Sequence, residues 1–101
     1  MKFVITYTTR SGGTAADNIA SAESAQKLLA GWAPSGTMQQ WVQRCDGQGG
    51  FAVVENESAA DLLRDLATWS PWLEFELYPV VDITESTAIT QDALAAAQAV
   101  I

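Results

Sequence analysis

A predicted β-hairpin at the centre of the chain constrains the fold more than any other feature of the sequence. Two runs rich in strand-forming residues, Met38–Cys45 and Phe51–Glu55, flank the segment Asp46-Gly47-Gln48-Gly49-Gly50. The glycines of this segment can adopt the positive φ angles that tight chain reversals require. We therefore predict two antiparallel strands joined by a short turn.

A predicted strand and a predicted helix precede the hairpin. Lys2–Thr9 alternates between an apolar and a mixed set of side chains, which is the pattern of a strand with one buried face. Thr14 is a suitable N-cap for a helix that we expect to end near Leu29 or Ala30. The apolar stripe of this helix recurs at three-to-four-residue spacing and consists of Ile19, Ala22, Ala25 or Gln26, Leu29 and Trp32.

A second helix and a last strand follow the hairpin. Ser58 and Asp61 resemble a capping box, which predicts a helix over Ser58–Trp69. The alternating run Leu73–Ile83 predicts a strand, and Pro79 within it indicates an edge position or a bulge. The apolar stripe of the second helix consists of Ala59, Leu62, Leu63, Leu66 and Ala67.

The resulting β-α-β-β-α-β order predicts an α+β protein with the ferredoxin-like fold, a four-stranded antiparallel sheet carrying both helices on one face. At 101 residues the chain is long enough for a single domain. We expect residues 1–83 to form its core and residues 84–101 to form a C-terminal tail, with a further helix from about Thr90. This Ala-rich tail is weakly amphipathic, so it needs a surface to pack on.

The sheet face opposite the helices carries a mixture of apolar and polar side chains. The residues expected there are Lys2, Val4, Thr6, Thr8, Glu76, Tyr78 and Val80. Two copies that pack sheet against sheet would cover this face. We therefore expect a homodimer, the dimeric α+β barrel, with a mixed-polarity cavity in each half that suits a small organic ligand.

Composition and charge exclude several classes of function. The chain has 12 acidic and 5 basic residues, and its formal charge of −7 makes a nucleic-acid partner unfavourable. The first ten residues lack the apolar core of a signal peptide, and no run is long enough to span a membrane. The single cysteine, Cys45, is interpreted as a buried or half-buried free thiol and indicates a reducing, cytoplasmic location. Without histidine, and with scattered acidic residues, the chain is expected to hold no metal and no cofactor.

Individual side chains suggest a ligand site, although no catalytic motif is present. Arg10 and Arg44 are candidates to hold a carboxylate or an enolate, and surface ion pairs are the alternative. Trp41, Trp69 and Trp72 are candidate walls for a planar ligand, or else core or dimer contacts. The residues predicted to bind a ligand are Thr6, Thr8, Arg10, Trp41, Arg44, Trp72, Glu76 and Tyr78.

Three segments together resemble an uncharacterised bacterial domain family of the dimeric α+β-barrel superfamily. They are the opening KFVITYT, the hairpin end GGFAVVE and the later W-x-x-x-L-E-F-E-L-Y-P-V-V-D-I. The resemblance implies a homodimer of ferredoxin-like subunits. The superfamily includes cofactor-independent monooxygenases, ring-cleavage isomerases, polyketide cyclases and haem-degrading enzymes. The absence of histidine speaks against the haem-degrading branch.

Two functional hypotheses follow from the sequence. The first is a homodimer that binds a small, partly apolar organic molecule between the sheet and the partner. The second is a cofactor-independent monooxygenase, isomerase or cyclase that acts on an enolisable aromatic or polyketide-like substrate. In that case Arg10 or Arg44 would stabilise oxyanion charge, and Tyr78 or Glu76 would transfer a proton.

Overall fold

The chain forms four strands and three helices in the predicted order. The computed structural model describes all residues from 1 to 101. The elements are β1 (Lys2–Thr9), α1 (Ala15–Gly31), β2 (Thr37–Gln43), β3 (Gly49–Glu55), α2 (Ala59–Trp69), β4 (Leu73–Val80) and α3 (Ile83–Val100). No helix is both long enough and apolar enough to cross a bilayer.

The four strands form one antiparallel sheet in the order β2-β3-β1-β4. This order and the connecting helices are those of the ferredoxin-like fold, so the predicted fold class is confirmed. β4 is an edge strand, which explains how Pro79 lies inside it without removing an interior hydrogen bond. The central hairpin is also confirmed, and Gly47 in its turn has a φ of 72°.

The hydrophobic core lies between one face of the sheet and α2. It consists of Phe3, Ile5, Ala52, Val54 and Leu62, with Met38, Leu66 and Phe75 packed around it. Leu62 enters the core from α2, while β1 and β3 supply the residues of the sheet side. α1 has no buried residue. The core therefore depends on α2, and α1 lies more loosely against the sheet.

The boundaries of three strands differ from the prediction. β2 ends at Gln43, before Cys45, because Arg44 already belongs to the turn and its carbonyl accepts from Gly47. Cys45 is therefore exposed, and the interpretation of a buried or half-buried thiol was wrong. Pairing in β3 begins at Gly49, and β4 ends at Val80 instead of Ile83.

The last helix begins earlier than expected. α3 starts at Ile83 instead of about Thr90, because Asp82 takes the N-cap position and its carbonyl accepts from the Ser86 amide at 2.8 Å. The alternation of Val81 and Ile83 continued the pattern of β4, and this hid the change of structure in the sequence.

The prediction of which side of α2 is buried was partly wrong. Leu63, which was assigned to the apolar stripe, is 67% exposed, whereas Asp65 is buried. The Asp65 carboxylate accepts hydrogen bonds from the Ser35 amide at 3.0 and 3.1 Å and from the Ser35 hydroxyl at 2.8 Å. These bonds attach the connection between α1 and β2 to α2. The helix is consequently oriented with Leu62, Asp65 and Trp69 inward.

The opposite face of the sheet is open and partly apolar. In the strand register Val4 lies between Val53 and Tyr78, and Thr6 lies between Phe51 and Glu76. Phe51 is 50% exposed on this face. We call this surface the open face; its apolar members are Val4, Val42, Phe51, Val53, Tyr78 and Val80.

Candidate functional site

A cleft of about 450 Å³ lies between α1 and the helix-bearing side of the sheet. Tyr7 and Trp41 from the strands contribute to its floor, and the end of α2 with the following turn forms one wall. α1 lines the cleft with one face whose residues, apart from Leu29, are small or polar and recur at helical spacing. These residues are Asn18, Ser21, Ala22, Ala25, Gln26 and Leu29.

The composition of α1 explains why the space beneath it stays open. Ser21, Ala22 and Ala25 are too short to fill the distance to the sheet, so only a few side chains from this helix approach it. Ile19, which was predicted to face the sheet, is 61% exposed and does not line the cleft. Thr14 and Asp17 form a capping box that secures the start of the helix without adding to the core.

Tryptophan side chains form an aromatic cluster along the cleft. Trp69 lies at its centre, with edge-to-face contacts to Trp32, Trp41 and Trp72 at centroid distances of 5.6, 6.0 and 6.0 Å. Trp32 and Trp41 are also edge to face, at 5.9 Å. Trp69 is buried, and its indole N–H has no hydrogen-bond acceptor. Trp41, Trp69 and Trp72 line the cleft, so it has a large aromatic wall.

Tyr7 is held in a defined position on the floor. Its hydroxyl donates to the Val42 carbonyl and accepts from the Trp41 indole, each at 3.1 Å. The absence of a side chain at Gly50 makes this possible, because a Cβ there would lie 2.4 Å from the Tyr7 hydroxyl oxygen. The floor of the cleft is therefore preorganised before a ligand binds.

Arg10 is the only charged residue that lines the cleft. Its Nε donates to the Ser70 carbonyl at 2.8 Å, and its Nη1 donates to Glu74 at 2.9 Å. The Arg10 amide also donates to the Trp72 carbonyl at 2.8 Å, which joins the end of β1 to the turn before β4. The guanidinium has five N–H donors and uses two of them in these bonds, so three remain for an anionic group.

The predicted ligand residues are divided between different parts of the molecule. Arg10, Trp41 and Trp72 line the cleft. Thr6, Thr8 and Glu76 instead line a depression of about 180 Å³ that also includes Tyr7, Glu74 and Phe75.

Tyr78 and Arg44 do not line the cleft. The Tyr78 hydroxyl donates to Glu76 at 2.7 Å, and this bond to a carboxylate raises the pKa of Tyr78 above its ordinary value of 10.0. Arg44 pairs with Asp46 inside the hairpin turn. A hydrogen bond from the Gln48 amide lowers the pKa of Asp46, and Arg44 adds to the effect. Neither arginine is joined to Tyr78 or Glu76 by a hydrogen bond or an ion pair.

Several residues of the cleft were not predicted as ligand residues. Tyr7 shares the face of β1 that holds Phe3 and Ile5. The alternation of side chains along β1 therefore predicts that Tyr7 points towards the helices. The spacing of Asn18 and Gln26 also places them on one side of α1. No group of three or more His, Cys, Asp or Glu side chains is arranged to hold a metal ion.

Comparisons with known proteins bear on the family of the chain. The comparison with curated proteins gives no match. A family model described as a domain of unknown function, DUF3303, matches residues 1–94. Because this match covers nearly the whole chain, the protein belongs to the DUF3303 family.

Proposed function

We propose that this protein binds a small, flat, partly apolar organic acid in the cleft beneath α1, and that its working unit is a homodimer joined through the open face. The observation that carries the proposal is the composition of the cleft. A wall of three tryptophans faces a lining in which Arg10 is the single charge.

The size and lining of the cleft support a small-molecule ligand. Its volume of about 450 Å³ lies within the range of about 300–1,000 Å³ that is usual for such pockets. Indole surfaces favour stacking with a planar aromatic ring. The amides of Asn18, Gln26, Gln43 and Gln48 provide further donors and acceptors around the rim.

The presence of Arg10 in the cleft indicates that the ligand carries a negative charge. A guanidinium binds a carboxylate or an enolate through parallel N–H donors, and three donors of Arg10 remain after its bonds to Ser70 and Glu74. Arg10 is held by those two bonds and by its own amide, so little side-chain entropy is lost when a ligand binds. The proposed ligand therefore carries its negative group near Arg10 and its ring against the tryptophans.

The arrangement favours binding over the enzymatic alternative. The cleft lining contains no histidine, carboxylate, lysine or cysteine that would accept a proton. The hydroxyl of Tyr7 already donates to a carbonyl, and the Tyr78–Glu76 pair has no link to Arg10. A cytoplasmic location, expected from the unpaired Cys45, completes the proposal.

Calorimetric titration with two matched probes tests the site. We expect the purified protein to bind 2-naphthoate, and Arg10→Gln to weaken that binding by about tenfold because charge-assisted hydrogen bonds are lost. The same variant should change the affinity for the uncharged 2-naphthylmethanol by less than about threefold. Trp72→Leu should weaken both probes, since both lose an aromatic contact.

Arg64→Gln is the matched control. Arg64 lies on α2, is exposed and pairs only with Asp61, so its loss removes the same charge without touching the cleft. Equal weakening of 2-naphthoate binding by Arg10→Gln and Arg64→Gln would contradict the proposed role of Arg10. Failure of either probe to bind wild-type protein at millimolar concentration would contradict the proposed ligand class.

A further inference from the structure

We infer that α3 is an arm that packs on a second copy of the chain. Seventeen of its eighteen residues are exposed, Ser86 alone being half-buried. The molecule measures 63 Å along its longest axis but only 24 and 20 Å along the others. A helix of 18 residues is about 27 Å long, and α3 therefore extends beyond the sheet and the other two helices.

The surface of α3 has an apolar side with no partner in its own chain. At about 100° per residue, the large apolar residues of α3 lie together with several small residues in an arc of roughly 160°, and Ala88, Ala95 and Ala99 lie outside it. The arc contains Ile83, Ser86, Ile89, Thr90, Ala93, Leu94, Ala96, Ala97 and Val100. Both acidic residues of the helix, Glu85 and Asp92, lie outside the arc. Ile89 and Leu94 are 54% and 59% exposed.

The start of α3 is anchored to the sheet, although the rest of the helix is exposed. Only Val81 and Asp82 separate β4 from α3. Asp82 forms an ion pair with Lys2 of β1, and its carbonyl accepts the first hydrogen bond of α3. These contacts direct the helix away from the end of the sheet. Most of the stability of a helix in a protein comes from packing of its apolar face, and α3 has no such packing within its own chain.

The area of the proposed homodimer interface indicates that α3 packs on a second copy of the chain. With strands about 4.8 Å apart and a rise of about 3.3 Å per residue, the open face has a footprint of roughly 500 Å². Two such faces bury roughly 1,000 Å², which is below the 1,200–2,000 Å² or so of stable specific interfaces. Each α3 presents a strip of roughly 270 Å², and docking two arms adds about 1,100 Å² counted on both partners. The arms bring the total into the range of a stable dimer.

Charge is compatible with a second copy of this chain as the partner of α3. Each copy carries a net charge of −7, which opposes association, so an additional contact between copies costs least where it brings no further carboxylate into the interface. The apolar arc of α3 contains none. This inference rests on the proposed homodimer, and the following experiment separates the two.

The test compares two double variants in the full-length chain. Ala93→Glu with Ala97→Glu places two charges at the centre of the arc. Gln91→Glu with Gln98→Glu places the same two charges on the opposite, polar side of the helix. Glutamate keeps good helix propensity in both cases, and α3 supplies no core residue, so both variants should fold.

Sedimentation equilibrium and hydrogen exchange provide the measurements. We expect wild-type α3 amides to be protected in the dimer and to lose at least tenfold protection when dilution produces monomers. The Ala93→Glu, Ala97→Glu variant should weaken dimerisation at least tenfold and remove the protection of the α3 amides. The control variant should resemble the wild type.

Results that would contradict the role of α3 can be distinguished from results that would contradict the homodimer. A dimer whose α3 amides exchange freely would overturn the arm while leaving the open-face dimer intact. Protection that is equal in monomer and dimer would also overturn it, because α3 would then pack on its own chain. A wild type that is monomeric at every concentration would overturn the homodimer itself.

Discussion

At the scale of single residues, Asp65 shows how a buried charge can organise a connection. Its carboxylate accepts three hydrogen bonds from Ser35, which lies between α1 and β2. The sequence offers no sign of this, because an acidic residue in an amphipathic helix is normally assigned to the solvent side. The bonding partner, 30 residues away, becomes visible only in the folded chain.

The first prediction concerns this carboxylate. Asp65→Ala should lower the free energy of unfolding by about 1–3 kcal/mol, because the hydrogen bonds from Ser35 to a buried carboxylate are lost. Asp61→Ala, on the same helix, should have a smaller effect, since the exposed ion pair with Arg64 is weak. Urea denaturation of both variants measures the difference. Equal losses in the two variants would show that the bonds to Ser35 contribute little.

The second prediction concerns the Tyr78–Glu76 pair. Because the carboxylate of Glu76 raises the pKa of Tyr78, Glu76→Gln should move that pKa back towards 10.0. A raised pKa means that the pair stabilises the fold below pH 10 and that this contribution disappears as the pH rises through the folded-state pKa. NMR titration of carbon-13-labelled tyrosine measures the shift. Glu57→Gln, at an exposed position outside the sheet, is the control and should leave Tyr78 unchanged.

At the scale of elements, the two halves of the fold differ in how strongly they are packed. α2 places Leu62 and Trp69 in buried positions, whereas α1 buries nothing completely. The contrast follows from side-chain size, because α2 has large residues on its inner face and α1 has serine and alanine there. The loosely packed helix is the one that borders the cleft.

The third prediction uses neighbouring leucines of α2. Leu62→Ala should destabilise the protein by about 2–5 kcal/mol, because it leaves a cavity in the core. Leu63→Ala should change stability by less than about 0.5 kcal/mol, because that side chain is 67% exposed. Thermal or urea denaturation distinguishes them. Similar effects at both positions would mean that α2 is rotated relative to the orientation described above.

At the scale of the whole molecule, the sheet is covered on one side only. α1 and α2 lie on the face that holds Phe3 and Ile5, while Val4 and Phe51 lie on the open face. Covering roughly 400 Å² of apolar surface at about 25 cal/mol per Å² contributes about 10 kcal/mol before the costs of association. In the proposed homodimer, a second copy that presents the same face would cover this apolar surface under two-fold symmetry.

The fourth prediction tests this interface. Phe51→Asp and Val4→Asp should each dissociate the proposed homodimer, because a charge would be buried between two sheets. Phe51 is half exposed in the single chain, so its variant should still fold. Ala60→Asp, on the exposed start of α2, is the control. Sedimentation at micromolar concentration decides the question, and a wild-type monomer that neither substitution alters would contradict the proposal.

The order of the elements, and with it the fold class, follows from local patterns in the sequence. Alternation in β1, the glycines of the hairpin and the leucine pattern of α2 are local signals, and each acts through neighbours a few residues away. Arg10, Trp41 and Trp72 were also recognisable as candidates because their chemistry suits a planar anion. Pro79 likewise indicated an edge strand, since proline supplies no backbone donor.

Which of these residues lie close together depends on the folded chain and could not be predicted from local patterns. Arg10 and Trp41 come together in the cleft, whereas Glu76 and Tyr78 do not line it. The direction of α3 was likewise undecided, because an alanine-rich helix carries little information about its packing partner. The physical reason is that strand pairing and helix orientation depend on contacts between distant residues, and a single chain shows these only after it has folded.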